Sequence, residues 1–88
     1  MKYSVDKNKA CWKILDGEAV IINTDTTFYY SLNKTGTFIW ELLAKKEMGL
    51  EELVKSVSAH YRKKEEEIYT DVKTVLEDLA KERLLKTK

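Results

Sequence analysis

Between residues 28 and 43 the chain reads FYYSLNKTGTFIWELL, and its hydrophobic rhythm changes at Asn33. Before that residue the period is two, with Phe28, Tyr30 and Leu32 on one side and Tyr29 and Ser31 on the other. After it, Phe38, Ile39, Leu42 and Leu43 recur three and four apart, with Trp40 on a flank. A strand must therefore turn into a helix with almost no loop between them. Asn33 suits that corner, because its short side chain can accept a hydrogen bond from an otherwise unpaired amide of the first helical turn.

The flanking sequence supplies the rest of the architecture. ACWKIL at 10 to 15 and AVIIN at 19 to 23 are short β-branched runs separated by Asp16-Gly17-Glu18, which predicts a hairpin with Gly17 at positive φ. The polar cluster Thr24 to Thr27 separates this hairpin from FYYSL at 28 to 32, giving a three-stranded antiparallel meander. The first helix is predicted over 34 to 46. Gly49 breaks it, and Leu50, Leu53, Val54, Val57 and Tyr61 form the stripe of a second helix ending near Arg62-Lys63-Lys64. The third, about residues 65 to 82, opens on three glutamates and carries Ile68, Val72, Val75, Leu76 and Leu79 on one face. Leu84 and Leu85 either form a brief terminal strand or fold back on the core. Strands precede helices, so the class is α+β, a meander followed by a three-helix bundle. With 88 residues, one domain is expected over 1 to 88, with its core at about 10 to 85.

Composition removes several function classes. No apolar run approaches the roughly eighteen residues that a bilayer needs, and the N-terminus lacks the apolar centre of a signal peptide. With Cys11 the sole cysteine, a cytoplasmic protein without an intrachain disulfide is expected. Cys11 and His60 lie too far apart to begin a zinc site, and Gly17, Gly36 and Gly49 form no phosphate-cradling loop. Asp71, Glu77 and Asp78 read as a solvated helix face, so no catalytic residue, metal or cofactor is expected.

Three helices beside a small sheet also describe a winged helix-turn-helix, which makes DNA binding an alternative. Charge weighs against it. From Lys64 to Glu82 there are seven acids (Glu65, Glu66, Glu67, Asp71, Glu77, Asp78, Glu82) and three bases (Lys64, Lys73, Lys81), 3 − 7 = −4. Phosphates would repel such a reading helix. Sixteen basic against fifteen acidic residues in the whole chain leave +1, which favours neither nucleic acid nor anionic membrane.

In order along the chain, YYSLN, TGTFIWELL, LEELVKSVSAHY, an acidic helix start and DVKTVLEDLAKERLL resemble the PqqD-like family over about residues 12 to 85. Arg83 departs from the pattern, standing where the family often has glycine, and Lys45 to Gly49 is charged and irregular. The resemblance implies a winged-helix-like fold and a non-catalytic recognition element for ribosomally made, post-translationally modified peptides. Such a module holds the leader segment of a precursor peptide and presents it to a modifying enzyme, often a radical S-adenosylmethionine maturase. The leader lies as an added strand beside the third strand, with the third helix walling the groove.

The residues support that picture independently, because a three-stranded meander leaves an edge of unpaired N–H and C=O groups. If FYYSL is the edge, the peptide-binding candidates are Phe28, Tyr29, Tyr30, Ser31 and Leu32. Proline at Tyr30 should impair binding if its backbone donor faces outward. Selectivity then falls to the third helix, through Ile68, Val72, Val75, Leu76 and Leu79, with Tyr69 at one margin and Asp71 at the other, although the same stripe must also pack the core. Trp40 is expected in the core. A homodimer formed through the same edge is the remaining alternative.

Overall fold

The computed structural model describes residues 1–88. In chain order the elements are β1 (Tyr3–Val5), β2 (Ala10–Leu15), β3 (Glu18–Asn23), β4 (Tyr29–Ser31), α1 (Lys34–Lys45), α2 (Leu50–Tyr61), α3 (Glu65–Lys81) and β5 (Leu85–Thr87). The three-stranded sheet has the order β2-β3-β4, antiparallel throughout, and the class is α+β.

Asp16 and Gly17, with φ of 52° and 78°, make the two-residue β2–β3 turn. Two consecutive positive φ values define the turn whose twist matches the flanking strands, and an Asp-Gly pair adopts them with little strain. The β3–β4 connection is organised by Asn23, a buried polar residue. Its Oδ1 accepts from the backbone N–H groups of Asp25 (2.9 Å) and Thr26 (3.2 Å), and its Nδ2 donates to the carbonyl of Glu82 (2.9 Å). One amide therefore ties this turn to the end of α3.

At the strand-to-helix corner Asn33 Oδ1 accepts from the Gly36 N–H at 2.8 Å, the cap expected there. Thr37 adds a second device: its buried hydroxyl accepts from the Ala19 N–H at 2.7 Å and lies 3.4 Å from the carbonyl of Leu32. A helix side chain thus completes the end of the β3–β4 ladder. Gly36 is needed for the close approach, since a Cβ there would meet Leu32 Cβ at 3.2 Å.

Seventeen buried apolar residues form one cluster between the sheet and the helices. Trp40 lies at its centre rather than on a flank, fully buried with Ile39 and Leu43, and meets Trp12 of β2 edge-to-face at 5.3 Å. Phe38 and Leu42 are pushed to the margin. The α1 stripe is rotated from the sequence expectation because Gly36 and Thr37 also face inward, against β3 and the corner.

Two strands frame the far side. β5 forms after the buried Leu84 and pairs with β1, with Val5 opposite Leu85. β1 is an addition to the elements expected from the sequence. Tyr3 also exchanges backbone hydrogen bonds with Met48 at 2.8 and 2.9 Å, which docks the irregular 45–49 segment. Arg83 has φ of 60°, the left-handed conformation that glycine adopts most readily.

Candidate functional site

β4 is hydrogen-bonded on one side only. The direction of its backbone groups follows from two bonds at the ends of the ladder, Asn23 N–H to Phe28 O (3.0 Å) and Leu32 N–H to Ala19 O (2.9 Å). In an antiparallel pair, hydrogen-bonded and non-hydrogen-bonded positions alternate. With Tyr30 opposite Ile21, the N–H and C=O of Tyr30, the C=O of Phe28 and the N–H of Leu32 therefore point into the sheet. The N–H and C=O of Tyr29 and Ser31 point to the open edge. Tyr30's donor does not face outward, so the condition for proline at Tyr30 to probe the edge is not met.

Side-chain parity follows the same register. Tyr30, opposite the fully buried Ile21, turns towards the helices and donates its hydroxyl hydrogen to Oε2 of Glu82, just past the end of α3. That bond, reinforced by partial burial and the negative charge of Glu82, raises the Tyr30 pKa above the usual phenol value. Tyr29 lies on the outer sheet face beside Cys11, Leu15, Val20 and Ile22 and is 70% exposed. Phe28, just before the strand, is 65% exposed.

Between β4 and α3 runs an open groove of about 320 Å³, lined by Tyr30, Ser31, Leu32, Val75, Asp78, Leu79, Lys81 and Glu82. It brings together five of the residues singled out from sequence: Tyr30, Ser31, Leu32, Val75 and Leu79. Ile68, Val72 and Leu76 are buried in the core, where the stripe packs on the sheet and neighbouring helices. Asp71 and Tyr69 are exposed outside the groove, and Tyr69 borders a different hollow with Glu51, Val54 and Lys55. Asp78, Lys81 and Glu82 were missed as groove residues. The available signal was helical spacing, since 75, 78 and 79 fall on one α3 face and 82 continues that face just past the helix end.

Other chemistry-bearing side chains are elsewhere. Cys11 is exposed on the outer sheet face, and His60 stacks on Phe38 at 4.1 Å. No three His, Cys, Asp or Glu side chains converge to hold a metal ion. No helix is long and apolar enough to cross a membrane.

Comparison with known proteins agrees with this geometry. A solved structure described as TbiB1 in complex with the TbiA(beta) leader peptide matches with a TM-score of 0.83 at 26% identity, covering 97% of this chain and 96% of that one. Among curated protein sequences none matches. The family model for coenzyme PQQ synthesis protein D matches residues 18–85, from the start of β3 to the start of β5, and the chain thus belongs to the PqqD family.

Proposed function

We propose that this protein is a peptide-recognition element that takes the leader segment of a ribosomally made precursor as a fourth strand on β4 and presents the precursor to a modifying enzyme. The observation that carries this reading is the free edge of β4 beside a groove walled by α3. It is supported by family membership and by the likeness to TbiB1, whose structure holds a leader peptide. The function is non-catalytic and cytoplasmic, and the partner enzyme is a maturase of the radical S-adenosylmethionine type.

The energetics divide the work between edge and groove. Tyr29 and Ser31 offer two donors and two acceptors; at about 0.5–1.5 kcal/mol net per bond they contribute about 2–6 kcal/mol, whatever the peptide sequence. Micromolar binding requires about 8 kcal/mol. At least about 2 kcal/mol must then come from side chains in the groove, equivalent to about 80 Å² of apolar burial before association entropy is offset.

The test is isothermal titration with the N-terminal segment of a short precursor encoded beside a maturase gene. Saturable micromolar binding is expected. A folded sample that binds no such leader, alone or with the maturase, would contradict the proposal. A concentration-dependent dimer that excludes the peptide would favour self-pairing through β4.

A further inference from the structure

The β4–α3 groove is lined by two kinds of surface. Leu32, Val75 and Leu79 supply apolar contact, while Tyr30 and the carboxylates of Asp78 and Glu82 supply polar contact. Tyr30 occupies Oε2 of Glu82 and so orients that carboxylate across the groove. Oε1 of Glu82 and both oxygens of Asp78 have no hydrogen-bond or ion-pair partner in the protein. A carboxylate accepts about four hydrogen bonds, so Glu82 retains most of its capacity. Lys81 also borders the groove but pairs with neither acid. The carboxyl end of α3, at Lys81 and Glu82, adds the partial negative charge of a helix terminus.

Resting on the leader-binding reading above, we infer that the groove selects a peptide with a lysine or arginine seated against Glu82 and Asp78. An apolar side chain two residues away lies on Leu32 and Val75. The spacing follows from the strand: side chains two apart share a face and stand about 6–7 Å from one another. Arginine suits the site better than lysine, because its planar fork can engage a fixed carboxylate with two parallel bonds. An acidic residue at that position meets two carboxylates and a helix carboxyl end, and is rejected. The main-chain edge supplies unselective affinity, and the acidic wall supplies selection.

The probe is a displayed library of random ten-residue peptides, selected against the intact protein. Enriched sequences should carry Lys or Arg two positions from Leu, Ile, Val or Phe. A synthetic enriched peptide should bind Glu82→Gln about tenfold more weakly, a change of about 1.4 kcal/mol. Glutamine still accepts the Tyr30 hydroxyl, so this variant removes the charge and keeps the cross-groove bond. A version of the peptide with the base replaced by glutamine should bind the wild type and Glu82→Gln alike. Peptides that lose binding on Ser31→Pro yet show no basic preference overturn the inference and leave strand addition standing. A basic preference that survives in an Asp78→Asn, Glu82→Gln double variant overturns it in the same way. Enriched peptides indifferent to Ser31→Pro, or no enrichment at all, overturn both.

Discussion

Proline at Ser31 separates the edge hydrogen bonds from everything else in the site. The Ser31 N–H faces away from β3, so its loss leaves the β3–β4 ladder intact, and proline on a free edge is tolerated. The residue before it, Tyr30, is already extended, as a pre-proline residue prefers. Binding is another matter. The variant loses one main-chain bond, about 0.5–1.5 kcal/mol, and leaves a peptide carbonyl buried against the ring without a donor, about 1–3 kcal/mol. Allowing for partial relaxation, the expected loss is about 2–3 kcal/mol, roughly 30- to 150-fold in Kd. Isothermal titration with the cognate leader measures it, and circular dichroism checks the fold. Ser31→Ala, which keeps the N–H, should stay within about 0.5 kcal/mol of wild type. Tyr30→Pro is the contrasting control: it removes a ladder bond to Ile21 and leaves that carbonyl without its donor, which should destabilise the fold by about 1–3 kcal/mol. A folded Ser31→Pro protein with unchanged affinity would refute strand addition at β4.

Three further outcomes follow from particular contacts. Thr37→Val leaves the buried Ala19 N–H without its acceptor and should cost about 1–3 kcal/mol, lowering Tm by about 5–15 °C, whereas Thr37→Ser should retain most of the stability; equal melting of wild type and Thr37→Val would remove the hydroxyl from the account. Arg83→Gly relieves left-handed strain of about 1–2 kcal/mol against about 0.5–1 kcal/mol of added chain entropy, so a Tm higher by a few degrees is expected, and a lower one would show that the arginine side chain matters more than its backbone. The Gly49 N–H, 3.1 Å from Glu52 Oε1, together with nearby Lys2, holds the Glu52 carboxyl below its ordinary value. Because the folded protein lowers this pKa, the stabilisation is present at neutral pH and is lost as pH falls from about 4.3 through the folded value. Glu52→Gln should shallow the acid-unfolding curve there, and an unchanged curve would discount the cap.

Much of this architecture was legible because short-range physics determines it. The change of period at Asn33, the Asp16-Gly17 turn and the apolar stripes of α2 and α3 each depend on neighbours within a few residues, and all appear where the residues indicate. What was hidden depends on distant partners. Tyr3–Val5 is too short to declare a strand and forms by pairing with Leu85–Thr87 at the other end of the chain. Asn23 reads only as the last residue of a strand until its side chain reaches Glu82. For the groove, the α3 stripe identified an apolar face without dividing it: Ile68, Val72 and Leu76 go to the core, while Val75 and Leu79 reach the opening. Asp71 is expected from the sequence at one margin of the groove, but the groove lies about two turns further along, at Asp78 and Glu82. The parity of β4 was equally unreadable, since a one-residue slip exchanges its faces and the register is set by pairing with β3.

Residue-resolved amide exchange, with and without a saturating leader peptide, reports whether a peptide adds to β4. In the free protein the Tyr30 amide should already be protected by Ile21, while the Tyr29 and Ser31 amides exchange quickly. Peptide should slow exchange at Tyr29 and Ser31 and leave Tyr30 nearly unchanged. Saturable binding that leaves those two amides fast, with protection appearing instead on the outer sheet face near Leu15 and Ile22 or around Tyr69, would contradict strand addition on β4.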